Sequence, residues 1–244
     1  MTQENRRDAA VSETIGYILL FAIVTLSMGV IYAIGYPALQ SNIDANIFES
    51  AEQSFIVLQS NMNRVAFDQT PVKILKINLQ SSSVAVSQGS SMTITYDGNP
   101  PLYISTGEVV FEKDDKTITY EMGSVLKSYP ASGSVMVSEP PIYVSTIDNT
   151  TVTTIGLISV NGNDQASGKG ITVLTLKHNS SIMDTTSAPT TVDIQINSTH
   201  AQKWEQYLED IGFSITGTTD SSVTATRNNT MLILSRHVVD VDIS

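Results

Sequence analysis

Few stretches of this chain bring reactive side chains together at a spacing that chemistry could use. Ser167-Gly168-Lys169-Gly170 comes nearest to a phosphate loop, in which backbone N–H groups and a lysine cradle a polyphosphate. The pattern breaks twice: five residues rather than four separate Gly162 from Gly168, and Gly170 stands where the Ser or Thr that holds magnesium is required. It also lies between two predicted strands, where a phosphate loop needs a strand and then a helix, so it reads as a hairpin loop. Asp240 and Asp242 alternate on a predicted terminal strand and share one face. Calcium takes six to eight oxygens, which two carboxylates alone do not supply, and the pair reads as a solvated strand face. Asp114 and Asp115 fall at a hairpin tip and serve the turn. His178, His200 and His237 are scattered, without the spacing of a motif such as HExxH. No Gly-x-Ser-x-Gly elbow occurs, and with no cysteine there is no thiolate, disulfide or Cys-based metal site. The expectation is a protein without catalytic residues, cofactor or metal.

Bulk properties point the same way. The formal charge is -11 over 244 residues, which argues against a nucleic-acid partner, since phosphates reward clusters of Lys and Arg. Only 15% of residues are charged, against about 25% in average usage.

The informative segment is at the N-terminus. Arg6 and Arg7 precede a stretch, Thr14 to Ile43, with no charged residue. Residues 15–39 as a helix extend about 38 Å, enough to cross a hydrocarbon core about 30 Å thick. Gly16, Gly29, Gly35 and Pro37 are poor choices for a soluble helix and common in membrane ones. The run exceeds the apolar core of a cleaved secretion signal, so a retained single-pass helix is expected. The basic pair on the short side puts the N-terminus in the cytoplasm and the remainder outside. Beyond it, Phe48, Ala51, Phe55, Leu58, Met62 and Val65 recur at intervals of three and four, an apolar seam of helical period. No strong breaker falls between Ala38 and Asp68, and Pro71 ends the pattern. The spacing therefore predicts a long helix over 11–70, its membrane span about 15–39 and its amphipathic extension about 40–67. The seam would pack on the chain's own head, on helices of neighbouring subunits, or on both at different heights.

Arg6-Arg7-Asp8-Ala9-Ala10-Val11-Ser12-Glu13-Thr14-Ile15-Gly16 resembles the opening of archaeal type IV pilin-like and archaellin-like surface proteins. The resemblance is confined to about residues 6–40. It implies that a prepilin-type peptidase removes a cytoplasmic leader, residues 1–10, by cutting between Ala10 and Val11, with Arg6 and Arg7 marking the leader. It further implies that the apolar helix is kept and self-assembles with copies of itself. Bacterial pilins carry a Glu near the mature N-terminus that pairs with a neighbour's amine, a role open to Glu13. A cut after Asp8 would restore the bacterial spacing at the expense of the small residue before the cut. Many members of the family carry Pro where this chain has Glu13. Gly16 and Gly29 would allow close helix–helix approach.

From 71 to 244 the texture changes to short runs rich in β-branched residues, parted by turn signals. Val109–Phe111 and Ile118–Tyr120 flank the hairpin turn at 113–116, and Val152–Val160 and Ile171–Leu176 flank the "NGNDQASGKG" loop. The chain ends in three predicted strands, "SVTATR", "TMLILSR" and "VVDVDIS". One helix, about 199–211, interrupts, with Ser198 or Thr199 as N-cap, Gly212 as stop, and Ala201, Trp204, Leu208 and Ile211 as apolar stripe. The expected class is α+β: a long N-terminal transmembrane and amphipathic helix, then an antiparallel, sandwich-like β-rich head with one short helix. Asn149, Asn179, Asn197 and Asn228 open N-glycosylation sequons in the part expected outside.

The expected function is that of a membrane-anchored archaeal cell-surface protein, a structural or adhesive subunit incorporated in a surface filament. Its partners would be the lipid bilayer, copies of itself and the processing peptidase. The alternative is an anchored ectodomain that does not polymerise and binds a ligand or envelope partner.

Overall fold

The computed structural model describes residues 4–130 and 132–244, with side chains from Ile15 onward. The chain divides into two units, Met1–Glu49 and Ser50–Ser244. The first is helical, formed by the leading part of α1 (Glu4–Ala66). Every side chain from Ile15 to Ile43 is exposed there, and the residues are apolar on all sides of the helix. A helix that is apolar all round and uncovered lacks the polar face by which a surface helix meets water.

The second unit holds the end of α1 and the β-rich head. After α1 come β1 (Val72–Asn78), β2 (Ser82–Ser87), β3 (Ser91–Tyr96), β4 (Leu102–Ser105) and β5 (Glu108–Lys113). They are followed by β6 (Lys116–Glu121), β7 (Ser124–Tyr129), β8 (Gly133–Ser138), β9 (Ile142–Ile147) and β10 (Thr150–Asn161). The remainder is β11 (Gln165–Gly168), β12 (Ile171–Thr185), β13 (Thr190–Asn197), α2 (Ala201–Asp210), β14 (Ser214–Thr219) and β15 (Ser222–Ile243).

Two sheets result. One is six-stranded in the order β11-β2-β5-β6-β7-β8, antiparallel throughout. Two of its hairpins turn on two residues each: Asp114-Asp115 joins β5 to β6, with Asp114 at φ 56°, and Met122-Gly123 joins β6 to β7 at 49° and 86°. The other sheet is nine-stranded and organised around β15. The first half of β15 pairs with β13 and β14, and its second half with β12 and β10. The three strands expected at the chain's end are thus one strand of 22 residues. Asn229, at φ 53°, lies where its two halves meet, beside a register shift against β13.

Antiparallel pairing holds with one exception among the described residues: β10 runs parallel to β15, from Thr151↔Thr230 to Asn161↔Asp240. Parallel neighbours need a long crossover, and β11 to β14 supply it. The run expected to form a hairpin around "NGNDQASGKG" does not. β10 and β12 lie on opposite sides of β15, and Gln165–Gly168 crosses over to pair with β2 in the six-stranded sheet. Flanking strand signals could not distinguish a turn between neighbours from a passage between sheets.

Helix α2 lies against the nine-stranded sheet, where Trp204 and Leu208 join Ile94, Ile155, Ile194 and Leu234 in the core. Its N-cap is His200, with no side-chain cap bond, rather than Ser198 or Thr199. Ser198 Oγ instead accepts the His200 backbone N–H at 2.9 Å. The helix ends at Gly212, φ 92°, in a Schellman arrangement: Gly212 N–H donates to Glu209 O and Phe213 N–H to Leu208 O.

Candidate functional site

Among the described residues, α1 is one helix long and apolar enough to cross a membrane, starting at Ile15. Thr25 Oγ1 donates to Phe21 O at 2.8 Å, so its hydroxyl is satisfied within the helix. Nothing lies within 4 Å of where a Cβ would stand on Gly16 or Gly29, so both present open backbone. Tyr32 and Tyr36 stack at 5.5 Å between ring centroids. The side chains of Arg6, Arg7, Ala10, Val11 and Glu13 lie outside the described residues.

The seam sits differently. Phe48 belongs to the first unit, and Ala51, Phe55, Leu58, Met62 and Val65 are buried in the second. Phe55 meets Phe111 of β5 edge to face at 6.4 Å. Gln59 Nε2 donates to Gly123 O at 2.7 Å and Glu139 O at 2.9 Å, and its Oε1 accepts from Ser138 Oγ. Lys127 Nζ pairs with Glu52 at 3.0 Å. The part of the seam from Ala51 to Val65 is therefore consumed within the head, and the bonds of Gln59 fix its register on the six-stranded sheet.

Sequence reasoning missed a buried polar cluster around Glu121. Glu121, at the end of β6, is fully buried. Its Oε1 accepts from Trp204 Nε1 and from Ser198 Oγ, both at 2.6 Å, while Oε2 has no hydrogen-bond partner among the described residues. Burial pushes its carboxyl up to about 7, against the pull of the Ser198 and Trp204 hydrogen bonds; the charge of Glu108 adds to the rise. His200, whose backbone N–H meets the Ser198 hydroxyl, is also buried, its Nδ1 against Ser134 Oγ at 2.9 Å, and burial pushes its ring down to about 4. Glu121 closes a run that alternates Ile118 and Tyr120, so its position reads as a solvated face. Both faces of β6 are in fact covered, which no local pattern reveals.

Comparison with known proteins adds a family. Residues 9–243 match a family described as of unknown function, DUF7289. The chain belongs to the DUF7289 family. The match takes in the apolar helix together with the head. An uncharacterized protein of Archaeoglobus fulgidus is 22% identical over 220 residues, covering 82% of this chain and 80% of that protein. No solved structure matches.

In this DUF7289 member the remaining sequence-singled residues are occupied locally. Asp240 accepts from Asn161 and Asn179, and Asp242 pairs with Lys177 at 2.7 Å. Ser167 and Gly168 end β11, and Lys169 and Gly170 follow it into the connection to β12. Two of the scattered histidines do meet: Ser181 Oγ stands 2.9 Å from His178 Nε2 and 2.7 Å from His237 Nδ1. A hydroxyl has one proton, so it donates to one ring and accepts from the other. The β12–β15 register, Ser181↔His237, creates this bridge, and Phe67 packs edge to face on His237 at 4.7 Å. Burial, and then the neighbouring His178, lower the His237 pKa. Of the sequons, Asn149 is exposed at the β9–β10 turn with φ 63°. Asn179 and Asn228 are exposed but hydrogen-bonded, and Asn197 is half-buried against Ser91.

Proposed function

We propose that this chain is a single-pass, membrane-anchored surface protein of the archaeal type IV pilin-like kind, a structural or adhesive subunit that performs no bond chemistry. The observation that carries this reading is the uncharged, uncovered, all-round apolar stretch from Ile15 to Ile43 that follows Arg6 and Arg7. In water such a surface is strongly unfavourable, and in hydrocarbon it is the required one. The family match, which includes this helix, supports its being a lasting part of the protein, and the relative in Archaeoglobus fulgidus supports an archaeal setting. The N-terminus lies in the cytoplasm, by the basic pair, and the head outside. Cutting between Ala10 and Val11 by a prepilin-type peptidase frees the helix to exchange lipid contacts for contacts with copies of itself, Glu13 meeting a neighbour's amine and Gly16 and Gly29 allowing close approach.

The buried Ala51–Val65 seam favours a second reading, an anchored ectodomain that does not polymerise and binds a ligand or envelope partner. With that seam used inside the head, association along α1 has only the apolar stretch before it to work with. The mass of the native N-terminal peptide, taken from cell membranes, tests the first reading. A start at Val11 with the helix retained supports pilin-type processing; a start at Met1 or Thr2 removes it and leaves the anchored ectodomain. A start beyond Gly35 removes the anchor.

A further inference from the structure

The uncharged run from Thr14 to Ile43 is longer than a bilayer needs: about 45 Å as a helix against about 30 Å of hydrocarbon. Hydropathy alone therefore leaves the depth open by about ten residues. Three further features remove that freedom. Tyrosine rings favour the level of the lipid headgroups, apolar body inward and hydroxyl outward. Tyr17 and Tyr36, both exposed, are 19 residues apart, about 28 Å along the axis, close to the hydrocarbon thickness. Both rings lean toward the N-terminus on a helix, so the lean leaves their separation unchanged.

Pro37 supplies the second constraint. It has no N–H to give the carbonyl of Ala33. With Tyr36 at the outer boundary, that carbonyl lies within one turn of the headgroups and their water. In a register shifted so that 24–43 fill the hydrocarbon, the same carbonyl would stand at mid-membrane, where an unpaired backbone group is least tolerated. The third constraint is at the centre. Thr25, less than half a turn from the midpoint of the two tyrosines, has its hydroxyl bonded to Phe21 O, while Gln40 and Asn42 carry amides that the shifted register would bury.

From these we infer that Tyr17 and Tyr36 lock α1 into the bilayer at two headgroup levels, with residues 18–35 in hydrocarbon and 38–43 in water or headgroups. The partner is the lipid bilayer, met at two fixed depths, and the inference rests on the membrane-anchor reading. Tyr32, one turn deeper, stacks on the Tyr36 ring from the hydrocarbon side.

The chain has no cysteine, so single-cysteine variants of the full protein can be spin-labelled without background. Reconstituted in phosphatidylcholine–phosphatidylglycerol vesicles, each label from 15 to 43 is scored by its collision ratio with oxygen and a water-soluble nickel chelate. The expected profile is deepest at Leu26 and Ser27 and water-exposed at Leu39, Ser41 and Ile43. In the Tyr17→Ala/Tyr36→Ala background it shifts by about one helical turn or flattens, and Tyr17→Trp/Tyr36→Trp keeps it in place. A profile deepest near Ala33, lipid-exposed labels at 39–43, or a profile indifferent to the alanine pair would overturn the inference while leaving an anchor. A profile with no lipid-deep position would overturn the anchor reading itself.

Discussion

Trp204 Nε1 donates to the Glu121 carboxylate at 2.6 Å, tying helix α2 to the end of a strand in the other sheet. Ser198 donates to the same oxygen. Glu121→Ala leaves two buried donors without an acceptor and removes packing volume around the indole, so a loss of about 3 kcal/mol is expected. Glu121→Gln keeps one acceptor oxygen and should lose about 1 kcal/mol or less. Urea unfolding of the detergent-solubilised full chain, followed by Trp204 fluorescence, measures both. Equal losses in the two variants would show that the carboxyl oxygen is not what holds the indole.

The pH response follows from Glu121 and His200. Glu121 titrates at about 7 folded against an ordinary 4.5, so the folded state holds its proton more tightly. Its stabilising contribution is full below 4.5 and is lost as pH rises through 7. His200 titrates at about 4 against an ordinary 6.5, so its contribution is full above 6.5 and is lost as pH falls through 4. The depressed His237 has the sign of His200. The two strong terms oppose each other across one window. Glu121→Gln should therefore make the protein lose stability on going from pH 7 to 4.5, and His200→Gln should make it gain. Unfolding midpoints at the two pH values decide it; two variants with the same slope would refute the opposed pair.

Phe55 and Leu58 are fully buried, with Phe55 against Phe111. Phe55→Ala should cost about 4 kcal/mol and Leu58→Ala about 3 kcal/mol. If the cost arises inside one chain, the unfolding midpoint of each variant will be independent of protein concentration. A dependence on concentration would assign those residues to contacts between copies.

Gly107, at φ 59°, faces the Val160 carbonyl so closely that a Cβ has no room, next to the 2.6 Å bond from Val160 N–H to Thr106 O. Gly107→Ala combines a left-handed backbone with a clash against main chain, and a loss of about 3 kcal/mol is expected. Gly217→Ala, where the space is open, serves as the control and should stay within about 1 kcal/mol.

Glycopeptide mass spectrometry of native protein should find carbohydrate on Asn149, at its turn tip, and none on Asn197. The Asn197 amide donates to Ser91, and the next residue, Ser198, is buried and bonded to Glu121, which holds this backbone against the core. A glycan on Asn197 would mean that modification precedes folding.

The long apolar helix, the β-rich head and the short helix were legible because each rests on local signals: an uncharged run, β-branched clusters between turns, and an apolar stripe ending at Gly212. The Lys113–Lys116 hairpin was legible for the same reason. Partners distant in sequence were not. Nothing near Asn228 and Asn229 announces that strand signals on either side belong to one strand that bends there. The parallel pairing of Val152 with Met231 depends on a crossover of some seventy residues, and periodicity carries no information on that scale. Glu121 is hidden for a related reason, since its burial is imposed by α2, far along the chain.

Residues 222–243 have one more effect, on timing. β15 holds four neighbours, β10, β12, β13 and β14, which have no common partner but it. Synthesis runs from the N-terminus, so β10 through β14 emerge and wait with exposed edges until this segment arrives. The six-stranded sheet needs none of it, and its hairpins can form early from near neighbours. The head is thus made in two acts: a local sheet that gathers as it emerges, and a second that stays open, and threadable through a narrow pore, until the final strand closes it.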